Sequence, residues 1–188
     1  LAAQEMDGEP GSDSYYHRIP EGAAVFTMNY TEIVQQILQQ RGSETPPVYL
    51  HGKHSEFFDL LTGQLNPEQG GLPFIMPQTS SKPIASVETI RRFARFLHAL
   101  DRANTLVTVG YGFNRDDDHV TNMIFDAMAR NSDLEMQVLA RDSLDTSPRI
   151  WRLKNSFAGR VRTIVVSRDP QESRKAFSVV VGGAKYSQ

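Results

Sequence analysis

The chain has no cysteine, and this absence excludes two kinds of site. Disulfides cannot form, and neither can a zinc module held by thiolates. Charge of one sign is lacking as well, because 20 basic side chains stand against 22 acidic ones and the formal net charge is -2. Nucleic-acid binding depends on neutralising many phosphates, so we expect no nucleic-acid partner.

Long apolar runs are also missing from the sequence. No segment approaches the roughly 20 apolar residues that cross a bilayer, and the N-terminus carries no charged stretch followed by an apolar one. We therefore expect a soluble, cytoplasmic chain with no membrane partner. The chain begins at Leu1 rather than Met, which favours a trimmed chain or a portion of a longer protein with additional domains.

The 188 residues suit one domain of ordinary size. Residues 1–17 are predicted to form a flexible lead-in, because Gln4 to Ser14 are acidic, rich in Gly and Ser, and almost without large apolar groups. Residues 18–188 would then form a single domain. Between Lys53 and Ser86, glycines and prolines interrupt the apolar periodicity that a helix or strand would show. This pattern predicts a long functional loop there.

Elsewhere, apolar periodicity predicts strands that alternate with helices. The predicted strands are Ala23–Thr27, Val48–Leu50, Leu72–Met76, Thr105–Val109, Leu134–Ala140, Val161–Ser167 and Phe177–Val181; the predicted helices are Tyr30–Gln40, a helix that Ser86 caps and that runs past Leu100, and Asp117–Arg130. Pro148 to Phe157 remains unassigned. This alternation predicts an α/β, Rossmann-like fold: a mostly parallel open sheet with helices on both faces.

Two stripes run along the helix after Ser86. Its predicted apolar face consists of Val87, Ile90, Phe93, Ala94, Leu97 and Leu100. The second stripe is basic, with Arg91, Arg95, His98 and Arg102. We interpret the basic stripe as the solvated face of the helix.

Polar groups follow two early strands, where they would face the crevice at the strand ends. In Thr27-Met28-Asn29-Tyr30, Asn29 suits two compatible roles, an N-cap for the next helix and an amide that holds ribose hydroxyls or a water. In Leu50-His51-Gly52, the imidazole of His51 could be structural or catalytic, and Gly52 would permit close approach of a ligand. His51 and His54 also make a His-x-x-His pair, but a metal site would need further ligands, so we predict no metal.

A third strand end carries two glycines around an aromatic residue. Gly110-Tyr111-Gly112 could be an ordinary turn, or a place where backbone amides approach a ribose or phosphate while the ring packs on it. Asp116 and Asp117 occupy the place of a third glycine, so this is not a G-x-G-x-x-G fingerprint. Acidic residues at the start of the next helix are favourable simply because they face the positive end of its dipole.

Together, the Thr-x-Asn-Tyr and His-Gly strand ends and the Gly-Tyr-Gly-Phe turn resemble the sirtuin-like domains of prokaryotic NAD-consuming defence proteins. Those domains carry a Thr-x-Asn-Tyr-Asp-like strand end, a His-Gly strand end, and a Gly-Tyr-Gly/Ser-Phe turn followed by an Asp-x-His helix start. The resemblance covers roughly residues 23–139 and would make this chain the C-terminal portion of such a domain.

The resemblance implies NAD as substrate or ligand and a role for each matched residue. Asn29 would orient the nicotinamide ribose and the attacking water, and His51 would be the general base. Residues of the three matched segments would contact the dinucleotide: Thr27, Gly52, Gly110, Tyr111, Gly112, Asn114 and Asp117. The implied reaction cleaves the nicotinamide–ribose bond, giving nicotinamide and ADP-ribose or a cyclised product. Sirtuin deacylases share this fold but carry a four-cysteine zinc module, so we expect no zinc and no deacylation.

Three functions stay open at this point. The first is an NAD glycohydrolase domain, acting in the whole protein as an antiviral effector that depletes NAD; without the glycine-rich N-terminal half of the family domain, we expect weak or no cleavage by this chain alone. The second is a module that senses NAD or ADP-ribose, which Thr31 favours because the family often has Asp there. The third is an interaction scaffold with a vestigial site. We expect a homo-oligomer in each case.

Overall fold

The computed structural model describes residues 15–58, 72–73, 87–140, 147–166 and 169–181. The helices are α1 (Ile33–Gln40), α2 (Val87–Arg102), α3 (Asp118–Arg130), α4 (Pro148–Ser156) and α5 (Pro170–Val181). The strands are β1 (Phe26–Thr27), β2 (Val48–Tyr49), β3 (Phe57–Phe58), β4 (Leu72–Pro73), β5 (Thr105–Val109), β6 (Glu135–Ala140) and β7 (Val161–Val165). Two short 3-10 turns cover Tyr15–Arg18 and Arg115–Asp117.

A three-stranded parallel sheet forms the centre of the fold, in the order β5-β6-β7. Thr105 lies opposite Glu135 at the start of the β5–β6 pairing, and Met136 lies opposite Val161 in the β6–β7 pairing. Each parallel connection carries a helix, α3 between the first two strands and α4 between the second and third. The predicted α/β, Rossmann-like fold is confirmed.

Helices cover both faces of this sheet. On one face, Met136 and Val138 of β6 belong to a core that also contains Phe93 of α2, Ile124 of α3 and Leu153 of α4. On the other face, Leu139, the residue that follows Val138, packs against α5 through Phe177 and Val180. The alternation along β6 follows from the period of two in a strand, since successive side chains point to opposite faces.

A second parallel pair, β1 and β2, brings the early part of the chain to the same core. Phe26 is paired with Val48 and Thr27 with Tyr49, and both Val48 and Leu50 join the core cluster that contains Met136. The pair β3–β4 is antiparallel and lies within the predicted loop. The sheets are therefore mostly parallel, as predicted, with this one antiparallel exception among the described residues.

Several predicted elements differ from the structure; the predicted strand Ala23–Thr27, for example, is only Phe26–Thr27. The predicted strand Phe177–Val181 is wrong, because these residues form the end of α5. A short apolar run rich in valine does not distinguish a buried strand from the buried side of a helix. The first helix begins at Ile33 rather than at Tyr30, and it has no side-chain cap bond.

The buried face of α2 also differs from the predicted one. Phe93 and Leu100 are buried as predicted, but Val87 and Ile90 are exposed by 62% and 53%. The buried positions of this helix are Thr89, Arg92, Phe93, Phe96 and Leu100. The basic stripe is exposed along its length, which confirms the interpretation of a solvated face.

Some predictions fall outside the described residues, among them the cap at Ser86 and most of the lead-in. Residues 15–17 of that lead-in belong to the first 3-10 turn, whose neighbour Ile19 accepts a 2.7 Å hydrogen bond from Arg41 Nη1. None of the described helices is long and apolar enough to cross a bilayer.

Candidate functional site

The carboxyl ends of β1 and β2 lie side by side and bring two of the predicted segments together. The Leu50 N–H donates to the Thr27 carbonyl at 2.9 Å, and the His54 N–H donates to the Tyr30 carbonyl at 3.0 Å. The chain around Asn29 is therefore held against the chain around His51 by backbone hydrogen bonds on both sides. This neighbourhood arises because both strands are parallel and end at the same edge.

Asn29 lies at this edge with its side chain exposed. Its backbone N–H donates to the Thr27 hydroxyl at 3.1 Å, so the Thr27 side chain shapes the turn in which Asn29 sits. The predicted capping role of Asn29 is wrong, because α1 begins at Ile33 and Glu32 occupies its N-cap position. The predicted role toward a ribose stays a prediction.

His51 is only 3% exposed, and its imidazole meets a second imidazole from a distant segment. The Nε2 atoms of His51 and His119 are 3.3 Å apart, and their ring centroids are 5.4 Å apart. His119 lies in the first turn of α3, directly after the 3-10 turn that follows β5. The edge of Phe93 packs against the His119 ring, with centroids 5.3 Å apart and planes at 85°.

The carboxylate of Asp117 lies beside this imidazole pair. Its Oδ1 is 3.9 Å from His51 Nε2, and its side chain is 14% exposed. Burial raises the pKa of Tyr30, and the negative charge of Asp117 raises it further. The segment after β1, the segment after β2 and the start of α3 thus converge on one polar cluster, which consists of Tyr30, His51, Asp117 and His119.

The atoms of His51, Asp117 and His119 are also the ones that could hold a metal ion among the described residues. A tetrahedral zinc shell with bonds of about 2.0–2.1 Å places its donor atoms roughly 3.3–3.4 Å apart. The two imidazole nitrogens have that spacing, but Asp117 Oδ1 is 3.9 Å from His51 Nε2. The carboxylate would have to move toward the rings, so the cluster is not preformed for a metal. His54 is not one of these three residues, and its Nδ1 lies 3.0 Å from the Tyr30 carbonyl oxygen.

The turn after β5 reaches the same cluster through Tyr111. Its hydroxyl lies 3.0 Å from the carbonyl oxygen of Asp117, to which it donates, and 2.9 Å from the Thr121 hydroxyl. Burial raises the pKa of Tyr111 to about 12, so the phenol is neutral and able to donate. The ring packs on Phe113 at 4.4 Å between centroids. Tyr111 therefore holds Asp117 in place through its backbone.

Backbone conformation explains two of the predicted glycines. Gly110 has φ +66° and Gly52 has φ +84°, a region that L-residues other than glycine adopt at a cost. Phe113 shares this conformation at φ +51°, with its ring 2% exposed in the core. Gly112 and Asn114 lie in the segment between β5 and the second 3-10 turn, and both are exposed.

The structure thus brings Thr27, Asn29, His51, Gly52, Tyr111 and Asp117 to one region of the molecule. Sequence reasoning missed His119, although the resemblance includes an Asp-x-His helix start and Asp117-Asp118-His119 has that form.

Sequence reasoning also missed Arg92, which fixes the loop after His51. Arg92 Nη1 donates to the Tyr49 carbonyl at 2.9 Å, and its guanidinium makes two hydrogen bonds to the Glu56 carboxylate, at 2.9 and 2.6 Å. The available signal was the i, i+4 spacing of Glu88 and Arg92 on one helix, which the structure pairs at 3.4 Å.

An open pocket of about 310 Å³ lies between α3 and α4. Its lining residues are Asp118, Thr121, Asn122, Phe125, Pro148, Arg149, Arg152 and Leu153. Thr121 links the pocket to the hydroxyl of Tyr111. Arg149 pairs with Asp118 and lowers the pKa of that carboxyl.

No family model matches the chain, and no curated protein is detectably similar to it in sequence.

Proposed function

We propose that this chain carries the catalytic core of an NAD glycohydrolase, which breaks the bond between nicotinamide and ribose. The observation that carries the proposal is the partly buried His51–His119 pair beside Asp117, where the segments that follow strands β1, β2 and β5 converge. The resemblance to sirtuin-like defence domains supplies the reaction, and the cluster supplies the groups that the reaction needs.

The reaction needs few functional groups from a protein, and the cluster contains groups of the required kind. Nicotinamide leaves from a cationic state, so the site mainly positions a nucleophile and stabilises positive charge on the ribose. The imidazole pair can accept the proton of the attacking water, and the carboxylate of Asp117 lies 3.9 Å from that pair. The exposed amide of Asn29 would orient the ribose and the water from the neighbouring strand end.

In this proposal, the remaining half of the dinucleotide would bind in the pocket between α3 and α4. The pocket between α3 and α4 has about 310 Å³, at the lower end of the roughly 300–1,000 Å³ typical of small-molecule sites. Arg152 lines it and would favour the negative charges of a dinucleotide, whereas the charge of Arg149 is balanced by Asp118. Tyr111, with Gly110 and Gly112, would then contact the adenosine side.

Nicotinamide release from NAD by the full-length protein tests this proposal. We expect His51→Gln to lower the rate at least about a hundredfold, the usual minimum for losing a general base. The matched control is His98→Gln, an imidazole on the exposed face of α2, which should leave the rate unchanged. Full activity in His51→Gln, or no nicotinamide release by the wild-type protein, would refute the proposal.

A second candidate, a module that senses NAD or ADP-ribose, is favoured by the burial of His51 at 3% exposure. A ligand could then bind at the strand ends without reaching the imidazole. Calorimetry separates the two functions, because stoichiometric binding of NAD without product supports sensing. Depletion of NAD as an antiviral defence belongs to the first proposal and follows from the resemblance alone.

A further inference from the structure

The two imidazoles of the cluster differ in their access to solvent. His51 is buried at 3% exposure, whereas His119 is partly exposed. The part of the pair that solvent reaches is therefore on His119. Burial of one member and exposure of the other is the arrangement in which the inner group orients the outer one.

The contact between the rings limits which nitrogens carry protons. At 3.3 Å between the Nε2 atoms, one nitrogen donates and the other accepts, because two N–H groups cannot face each other at this distance. His51 Nε2 is thus directed at His119 rather than at the crevice. The groups around the pair include Phe93 of α2, Tyr30 after β1, Asp117 before α3 and Asp118, whose carboxyl interacts electrostatically with His119.

We propose that His119 is the catalytic residue that exchanges a proton with the attacking water, and that His51 is the buried acceptor behind it. This inference rests on the proposed NAD cleavage and assigns the roles within its site. It transfers the base function from His51, which the resemblance names, to the ring that the crevice can reach.

The proton transfers balance as follows. The water oxygen forms a bond to the anomeric carbon of the ribose, and the bond from that carbon to nicotinamide breaks, its electron pair neutralising the pyridinium nitrogen. The water proton passes to His119 Nδ1, while the proton on His119 Nε2 moves to His51 Nε2. The pair then carries one positive charge beside Asp117, until His119 returns the proton to solvent.

Kinetics of the full-length protein separate the two rings. We expect His119→Gln and His51→Gln each to lower kcat at least about a hundredfold with little change in KM, because both rings are needed for the transfer. His98→Gln is the control for loss of an imidazole. Turnover retained in His119→Gln but lost in His51→Gln would overturn this inference alone, whereas no NAD cleavage by the wild-type protein would overturn the proposed function and this role with it.

Two measurements without substrate test the same assignment, including in variants whose activity is low. Long-range proton–nitrogen spectra of the ¹⁵N-labelled protein should show the proton on His119 Nε2 and none on neutral His51 Nε2. Diethyl pyrocarbonate should modify His119 before His51. The reverse tautomers, or faster modification of His51, would overturn the inference. Loss of activity on chelation with recovery on adding Zn²⁺ would also overturn it, since a metal would then join the two rings.

Discussion

At the scale of single residues, Arg92 of α2 is a buried cation that contacts the loop after His51. Its side chain is 9% exposed and that of Glu56 is 15% exposed, so the ion pair between them is nearly withdrawn from water. The pair joins α2 to the segment that follows His51 and Gly52. A buried pair of this kind contributes little net stability, but removing one member leaves an uncompensated charge.

Arg92→Met is therefore expected to lower the free energy of unfolding by about 2–3 kcal/mol, somewhat less than for a fully buried pair because Glu56 keeps some contact with water. Urea denaturation measures this loss. Arg91→Met is the matched control on the same helix, since the Arg91 side chain is 71% exposed, and it should change stability by less than about 0.5 kcal/mol. Equal effects of the two variants would contradict the role given to the pair.

The residues of the site could be predicted only in part, and the reason is physical. His51 and Asn29 stand where strands end, and that local pattern can be read from periodicity and glycine placement. His119 lies in the first turn of α3. The helix dipole already explains the acidic residues there, so the sequence gives no separate reason to expect a site in this turn. The contact of His119 with His51 depends on how α3 docks, which is a tertiary property with no local pattern.

At the scale of elements, the start of α1 is joined to the segment after β2 through Glu32. Lys53 Nζ lies 2.9 Å from Glu32 Oε1, and the Ser55 hydroxyl donates to the same oxygen at 2.7 Å. These two hydrogen bonds lower the pKa of Glu32, with the charge of Lys53 adding to the effect. The contribution to stability is present above the pKa of the unfolded state and is lost as pH falls through the lower folded-state value.

We expect Glu32→Gln to cost at most about 1 kcal/mol of unfolding free energy at pH 7, because the pair is partly exposed. The difference from wild type should shrink as the pH falls below about 4.3, the ordinary value for Glu, and vanish below the folded-state pKa. Denaturation curves across this range provide the test, with exposed Glu44→Gln as the control. A difference that stays constant with pH would assign the effect to packing instead.

The sequence predicts an element correctly where the residues that are buried in the structure follow the apolar periodicity of the sequence. β5 has the predicted bounds, Thr105–Val109, because five apolar or β-branched residues lie between turn signals. The valines at the end of α5 predict a strand, because valine favours strands. In the structure Ala176, Phe177 and Val180 are buried at helical spacing. On α2 the buried positions include Arg92, which an apolar stripe cannot predict, since its burial depends on Glu56.

At the scale of the whole molecule, there are two parallel units, the pair β1–β2 and the sheet β5-β6-β7. They differ greatly in the number of residues that their strands pair. β6 pairs along five positions with β5 and along five with β7, whereas β1 and β2 pair at only two. Local opening occurs where fewest contacts must break. The unit that carries Asn29 and His51 is therefore the weaker of the two.

Hydrogen exchange followed by mass spectrometry should show this ranking. We expect amides of β6 to exchange at least about tenfold more slowly than those of β2, since they open only with the whole sheet. The peptide that contains α4 serves as an internal reference for solvent-facing helix. Equal protection of β2 and β6 would mean that both units open together.

The distance along the chain between the two imidazoles has a consequence for when the site exists. His51 and His119 are 68 positions apart and belong to different strand units, so their nitrogens meet only after α3 has docked. A nascent or cleaved polypeptide that lacks this docking holds no assembled pair. Formation of the imidazole pair is thereby tied to completion of folding, and the ring contact itself is a spectroscopic reporter of that final step.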